Sequence, residues 1–92
     1  MIRSFACRET QALFEGHAVQ RFTNVRAVAE RKLQMLHRAH RIDDLRVPPN
    51  NRLHALRGDR KGLYSIRIND QWRICFRFDR GDAYEVHIVD YH

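Results

Sequence analysis

The sequence predicts an α+β domain in which two helices pack on one face of an antiparallel sheet, in the order β-α-α-β-β-β-β. Three segments near the C-terminus, residues 62–69, 71–79 and 82–90, carry an apolar residue at every second position. Period two over consecutive segments with short polar connections is typical of half-buried antiparallel strands. An earlier segment, around residues 25–39, repeats its apolar residues every three or four positions, which indicates a helix.

The first half of the chain supplies the remaining strand and the helices. Residues 1–5 predict a short strand, and residues 8–15 predict about two helical turns. The longer helix is expected to begin after a side-chain cap from Thr23 or Asn24 and to end near residue 39. Its inward face combines apolar side chains with the stem of one lysine: Val25, Val28, Ala29, Lys32, Leu33 and Leu36.

The middle of the chain predicts little regular structure. Residues 42–45 predict a turn-like piece, and residues 47–51, rich in proline and asparagine, predict an irregular connector. Residues 53–57 predict a weak strand beside the three alternating segments. A chain of 92 residues forms one domain, residues 1–92, with little room for a deep cavity, so a functional site is expected on an open face.

The alternation also predicts the register of the first hairpin. Residues directly opposite each other share a face, so Ile68 is expected opposite Trp72, across a three-residue loop at 69–71. A two-residue loop would instead turn an arginine into the core. The predicted register places Arg67 directly opposite Arg73 on the other face. Like charges that face each other destabilise a sheet, so this pair either binds an anion or spreads into water.

The same rule, applied to the last two strands, pairs Phe78 with Tyr84 across a connection at 80–82. It also brings residues 89–91 alongside Arg73. The end of the chain is therefore expected to lie beside the arginine pair.

Composition narrows the class of protein. Hydrophobic content is 43% and charged content 30%, typical of a globular domain, and no apolar run is long enough for a membrane span or a signal peptide. The two cysteines, Cys7 and Cys75, are not in CxxC spacing and are expected to be free thiols in a reducing cytoplasm.

Basic residues are abundant and are almost all arginine. The net charge is +6, and of the 17 basic residues only Lys32 and Lys61 are lysine. Arginine's planar fork matches phosphate groups and stacks on bases, so a polyanionic partner is favoured, although GC-rich codon usage also enriches arginine.

The candidate chemistry lies near the C-terminus. Asp90, Tyr91 and His92 place a carboxylate, a phenol and an imidazole on one short extension of the last strand, and these groups orient substrates, stack on bases and transfer protons. His54 is a second candidate, ahead of a basic loop. The alternative is a polar tail and a surface histidine. His37 and His40 have no matching third ligand, and no phosphate-binding or hydrolase motif occurs, so neither a metal nor a cofactor is expected.

Three segments resemble the HigB-type toxins, a branch of the RelE/ParE superfamily of bacterial toxin–antitoxin systems. The similarity covers essentially the whole chain, and its clearest parts are Leu53-His54-Ala55-Leu56-Arg57-Gly58-Asp59-Arg60, Trp72-Arg73-Ile74 and Val89-Asp90-Tyr91-His92. The Trp72-Arg73-Ile74 motif is shared across the superfamily, whereas the Asp90-Tyr91-His92 ending points to the HigB branch.

The resemblance implies a compact RelE-like fold and a metal-independent endoribonuclease that cuts messenger RNA in the ribosomal decoding site. It also implies neutralisation by a HigA-like helix-turn-helix antitoxin, which alone links the toxin to operator DNA, and it implies no membrane partner. The active-site positions that it carries over are His54, Arg57, Asp90, Tyr91 and His92. Residues that would bind RNA phosphates are Arg67, Arg73, Arg60 and Lys61.

One departure bears on mechanism. Some relatives carry lysine where this chain has Arg57, and arginine keeps its proton, so charge stabilisation is expected there rather than acid catalysis. His92 and His54 are then the expected proton-transfer pair, and Tyr91 or Tyr64 the expected base platform. Two other functions stay open: a ParE-like poison of DNA gyrase, and a basic module that binds RNA or an antitoxin without catalysis.

Overall fold

The computed structural model describes residues 1–56 and 62–90, and residues 57–61 and 91–92 are outside this description. Its helices are α1 (Arg8–Phe14) and α2 (Arg26–Arg38), with short 3₁₀ helices at Gln20–Val25, Ile42–Arg46 and Pro49–Asn51. Its strands are β1 (His54–Ala55), β2 (Leu63–Arg67), β3 (Trp72–Asp79) and β4 (Asp82–Asp90). The strands form one antiparallel sheet in the order β1-β2-β3-β4. The predicted α+β arrangement is confirmed.

The N-terminal segment differs from the predicted strand. It contacts β4 through two isolated parallel bridges, Ile2 with Ala83 and Phe5 with Val86. Between them, the backbone N–H of Glu85 donates to the Ser4 hydroxyl at 2.9 Å instead of continuing a ladder. An irregularity of β4 at this point, described below, keeps the segment from forming a continuous strand.

The start of α2 corrects the predicted cap. Thr23 and Asn24 lie inside the 3₁₀ helix before α2, where the Thr23 hydroxyl donates to the Gln20 carbonyl at 2.8 Å. The N-cap of α2 is Val25, without a side-chain cap. The inward face is as predicted, since α2 buries Ala29, Lys32, Leu33 and Leu36.

The core lies between the helices and one face of the sheet. The face of β2, β3 and β4 that the helices cover contributes Ile66, Ile74, Phe76, Val86 and Ile88, all buried. Phe22, fully buried, packs edge-on against Trp72, with ring centroids 5.5 Å apart. The opposite face, which we call the outer face, carries the other parity of side chains.

The register of the second hairpin corrects the prediction. Phe78 lies opposite Ala83, not Tyr84, and Tyr84 lies opposite Arg77 on the outer face. There the Arg77 guanidinium lies 4.5 Å from the centre of the Tyr84 ring. Ala83, fully buried, takes the core position that the sequence pattern gave to Tyr84.

A β-bulge in β4 causes this shift. The pairing of β3 with β4 changes between Cys75 and Arg77, so Glu85 and Val86 together face Phe76. Glu85 has φ +56°, the left-handed conformation that one kind of bulge requires. One extra residue moves every side chain before the bulge to the other face, and the loop shortens to two residues.

The connector is more ordered than predicted. Residues 47–51 contain the 3₁₀ helix Pro49–Asn51, and Asn51 is fully buried. The Asn51 amide nitrogen donates to the Leu45 carbonyl at 3.1 Å, and its oxygen accepts a hydrogen bond from the Lys32 ammonium. Burial lowers the pKa of Lys32, and the positive charges of Arg31 and Arg67 lower it further.

Candidate active site

The outer face carries the predicted arginine pair. Arg67 on β2 and Arg73 on β3 lie directly opposite each other, and Val89 of β4 flanks Arg73. Beyond them, the Ile68 backbone N–H donates to the Trp72 carbonyl at 2.9 Å, which leaves residues 69–71 as the three-residue loop that the alternation predicted. The register of the first hairpin is therefore confirmed, together with the concentration of positive charge that follows from it.

Protein groups fix the position of Arg73. Its Nε donates to the Ser65 hydroxyl at 2.9 Å, and one terminal nitrogen donates to the backbone carbonyl of Arg52 at 2.7 Å. Ser65 is 1% exposed, so one of these acceptors lies within the packed protein. Hydrogen bonds to a charged donor are stronger than neutral ones, and two of them hold the plane of the guanidinium.

Arg67 is held more weakly. Its guanidinium pairs with Asp70, whose side chain is 99% exposed at the tip of the hairpin. Exposed pairs of this kind contribute roughly 0–1 kcal/mol, so an incoming phosphate competes with Asp70 at little cost. The pair thus joins a fixed arginine to an exchangeable one, a combination suited to a substrate anion.

His54 lies on the same face. It is exposed on β1 directly opposite Ser65, the residue that anchors Arg73. A strand spacing of ~4.8 Å and a rise of ~3.3 Å per residue separate the Cα atoms of His54 and Arg73 by about 12 Å. The structure therefore brings His54, Arg67 and Arg73 to one surface.

Asp90 lies at the edge of this surface. It is the last residue of β4 and pairs with Trp72, so the register puts it on the helix-covered side at the rim of the sheet. The Gln71 amide nitrogen donates to its Oδ2 at 3.2 Å. Its neighbour Val89 pairs with Arg73, so the backbone of Asp90 is close to the arginine pair. A role for Asp90 in orienting other groups stays a prediction.

Several predicted positions fall outside the described residues: Arg57, Arg60, Lys61, Tyr91 and His92. Their proposed roles stay predictions. Tyr64 does not fit the predicted base platform, because it packs on the helix-covered side, with its ring centre 6.1 Å from that of Phe76.

Sequence reasoning missed the two anchors of Arg73. Ser65 had a signal, since it shares the parity of Arg67 and lies diagonal to Arg73, within reach of a long side chain. The Arg52 carbonyl had none. Arg52 has φ +44°, a conformation that non-glycine residues adopt rarely, and this turn brings the carbonyl to the outer face.

Other site types find no support in the part of the chain that the structure covers. Within residues 1–56 and 62–90, no three His, Cys, Asp or Glu side chains are grouped as metal ligands would be. No helix there is long and apolar enough to span a bilayer. Neither Cys7 nor Cys75 forms a disulfide bond.

Comparison with known protein families identifies the family to which this chain belongs. A family model for HigB-like toxins, described as the RelE-like toxin of type II toxin–antitoxin system HigB, matches residues 5–92. The chain belongs to this family. As a HigB-like toxin of a type II system, it has an antitoxin as its partner.

Individual relatives agree with this family. Endoribonuclease HigB of Proteus vulgaris is 37% identical to this HigB-like toxin over 94 residues, which cover 100% of both chains. Toxin HigB-1 of Vibrio cholerae is 43% identical over 58 residues, 63% of this chain and 61% of that protein. The crystal structure of a YafQ mutant from E. coli matches 98% of this chain and 91% of its own, with a TM-score of 0.62 at 13% identity. That structure supports the RelE-like fold alone.

Proposed function

We propose that this HigB-like toxin is a metal-independent endoribonuclease that cuts messenger RNA on the ribosome, at the outer face around Arg67 and Arg73. The observation that carries the proposal is the arginine pair itself. Two guanidinium groups face each other across β2 and β3, and Ser65 and Arg52 hold one of them. Family membership and the full-length similarity to Endoribonuclease HigB support the choice of RNA cleavage.

The proposed reaction needs only the chemistry of protein side chains. A base takes the proton of a ribose 2′-hydroxyl, whose oxygen attacks the adjacent phosphorus. A phosphorane forms, and then the bond to the 5′-oxygen breaks as that oxygen gains a proton. Negative charge builds on the phosphoryl oxygens, where fixed positive donors stabilise it more in the transition state than in the ground state. Arg73 suits this role because its anchors leave it little reorganisation.

Two histidines are the proposed proton carriers. An imidazole ionises near neutral pH, so it serves as base in one step and acid in another. His92 is the proposed principal group and His54 its counterpart on the outer face. Arg57 is proposed to stabilise charge, Arg60 and Lys61 to bind flanking phosphates, Tyr91 to stack on a base, and Asp90 to orient its neighbours.

The proposed partners follow from the same function. We propose a HigA-like helix-turn-helix protein as the antitoxin, and contact with operator DNA only through it. The ribosome is the proposed place of cleavage, at the decoding site in the cytoplasm. A shallow face on a small domain offers few groups to align RNA, and the ribosome supplies an aligned message.

One experiment separates this function from its two alternatives. Primer extension on messenger RNA from a translating extract reports codon-phased cuts for the nuclease, whereas a supercoiling assay reports inhibition for a gyrase poison. Neither effect is expected of a protein that only binds RNA or an antitoxin. Unphased or absent cuts by the wild-type protein would exclude the proposed function.

The decisive variant is His92→Ala. We expect it to abolish detectable cutting, a loss of about 10²-fold or more, because the proposed acid or base is removed. Its melting temperature should match that of the wild type, which thermal unfolding by circular dichroism measures. Codon-phased cleavage by a folded His92→Ala protein would remove His92 from the site.

A further inference from the structure

A groove lies at the other end of β4 from the candidate active site. It has a volume of about 550 Å³, between the C-terminal end of α2 and the turn that joins β3 to β4. We call it the α2–turn groove, and the side chains that line it are Met1, His37, Arg38, His40, Arg80 and Asp82. Eight residues of β4 at ~3.3 Å each put Asp82 about 26 Å from Asp90. A phosphate at the arginine pair and one in this groove are therefore different phosphates.

The α2–turn groove is basic. Arg38 and Arg80 line it, and its single acidic residue, Asp82, already pairs with the Arg3 Nε at 3.2 Å. His37 adds a donor: its Nδ1 accepts the backbone N–H of Ile2 at 3.1 Å, which leaves the ring hydrogen on Nε2. The polar groups that remain for a ligand are predominantly donors and cations.

The backbone at Arg80 points to a use for its charge. Arg80 has φ +51° and Gly81 φ +84°, so they form the two-residue turn in which asparagine, aspartate and glycine are favoured. Arginine in the left-handed conformation is strained relative to glycine, because its Cβ atom approaches the following carbonyl oxygen. A residue that breaks a local preference marks a strained or functional position. Arg38, in contrast, also has a structural explanation, since cations stabilise the last turn of a helix.

Close packing fixes the position of this turn. A Cβ atom on Gly81 would lie 3.0 Å from the His40 carbonyl oxygen, so only glycine allows the turn to approach the end of α2 this closely. The turn therefore holds Arg80 against the segment that carries Arg38 and His40. Two arginines on separate elements thus face one open groove.

We propose that the α2–turn groove binds the phosphodiester backbone of RNA. This second contact holds the toxin on its RNA while the outer face cuts. This inference rests on the proposed function and adds a separate contact site to it. Phosphate fits better than an acidic protein segment, because a protein interface centres on apolar and aromatic anchors, and among the described side chains that line this groove Met1 is the one such apolar residue. Arginine's fork also matches phosphate in geometry.

The test measures binding without cleavage. A short fluorescent 2′-O-methyl RNA lacks the attacking hydroxyl, so fluorescence anisotropy reports affinity whether or not the toxin is a nuclease. The test variant is Arg38→Gln with Arg80→Asn. The control is Arg26→Gln with Arg46→Gln, which removes the same charge from exposed pairs with Glu30 and Asp43 outside the groove.

We expect the groove variant to bind about fivefold or more weakly than wild type, and the control within about twofold. The slope of log K against log salt should fall by about 1.4, at roughly 0.7 per lost phosphate contact to a single strand. Arg80→Asn suits the turn, so thermal melting should show a folded protein.

Three results would overturn the inference: unchanged binding by the groove variant, equal losses in variant and control, or displacement of the RNA by a polyglutamate peptide at equal charge concentration. The last would assign the groove to an acidic protein. Primer extension with the wild-type toxin is scored separately. Codon-phased cuts together with unchanged RNA binding by the groove variant would reject the groove and keep the nuclease.

Discussion

Arg73 and Arg67 face each other but differ in how they are held, and this difference predicts different effects of the same substitution. Arg73→Lys puts one nitrogen in place of the two that donate to Ser65 and the Arg52 carbonyl, and it lacks the planar fork that joins them. We expect it to lower the single-turnover rate of cleavage in a translating extract by about 10²-fold. Arg67→Lys, which replaces only the exposed partner of Asp70, should cost about tenfold or less. Equal losses would show that the anchors of Arg73 contribute nothing to the rate.

Lys32 and Asn51 form a buried polar pair whose stability effect is testable. Lys32 is 6% exposed, and its described hydrogen-bond acceptor is the Asn51 side chain. Asn51→Leu leaves a buried ammonium without that acceptor and the Leu45 carbonyl without a donor, so we expect about 3 kcal/mol of destabilisation. Lys32→Met combined with Asn51→Leu removes charge and acceptor together and should recover at least ~1 kcal/mol of this loss. Chemical denaturation of both variants measures it, and a double variant no more stable than Asn51→Leu would contradict the coupling.

The same pair fixes the direction of a pH effect. Because the pKa of Lys32 lies below its ordinary value of 10.5, the unfolded chain binds this proton more tightly than the folded protein does. The charged form therefore costs stability below the folded pKa, and this cost disappears as the pH rises through that pKa towards 10.5. Comparison of wild type with Lys32→Met across this range isolates the contribution.

At the scale of elements, the bulge in β4 predicts an unusual order of substitutions at one position. Glu85 has φ +56°, where glycine is unstrained and alanine is not. Glu85→Gly and Glu85→Ala both lose the exposed contact with Arg77, at 3.9 Å, so they form a matched pair. We expect the glycine variant to be more stable than the alanine variant by about 1 kcal/mol. Thermal unfolding measures the difference, and a more stable alanine variant would contradict the bulge.

The bulge also shows where sequence alternation stops being informative. The first hairpin was predictable because Ile68, Trp72 and the arginines on either side allow only one register. In the second hairpin Tyr84 looks apolar, although an aromatic ring also packs well on the outer face against an arginine. The left-handed backbone of Glu85 leaves no mark in the sequence, because glycine is absent where such a bulge usually has it. The predicted cap at Thr23 is also absent, because Thr23 lies inside the 3₁₀ helix that precedes α2.

At the scale of the whole molecule, the site was predictable only in part. Parity alone placed Arg67 and Arg73 on one face of the sheet, whereas the face of His54 is known only from its pairing with Ser65 in the structure. The carbonyl of Arg52 came there through a connector whose path depends on the buried side chain of Asn51, which no periodic pattern indicates. Contacts between segments that are distant in sequence therefore determine the part of the site that the local sequence pattern does not predict.

The same scale predicts dependence on the ribosome. The arginine pair and the α2–turn groove lie near opposite ends of β4, about 26 Å apart, and a domain of 92 residues has little room for a deep cleft that encloses a nucleotide. Holding a 2′-hydroxyl in line with its phosphorus requires alignment that accounts for several kcal/mol of rate enhancement, and a shallow face supplies little of it. We therefore expect a naked transcript to be cut at least about 10²-fold more slowly than the same message under translation. A time course of primer extension with and without ribosomes, at matched RNA and toxin concentrations and matched salt, makes the comparison. His92→Ala serves as the background control for contaminating nucleases. Efficient cutting of naked transcript that disappears in His92→Ala would mean that the toxin aligns RNA unaided.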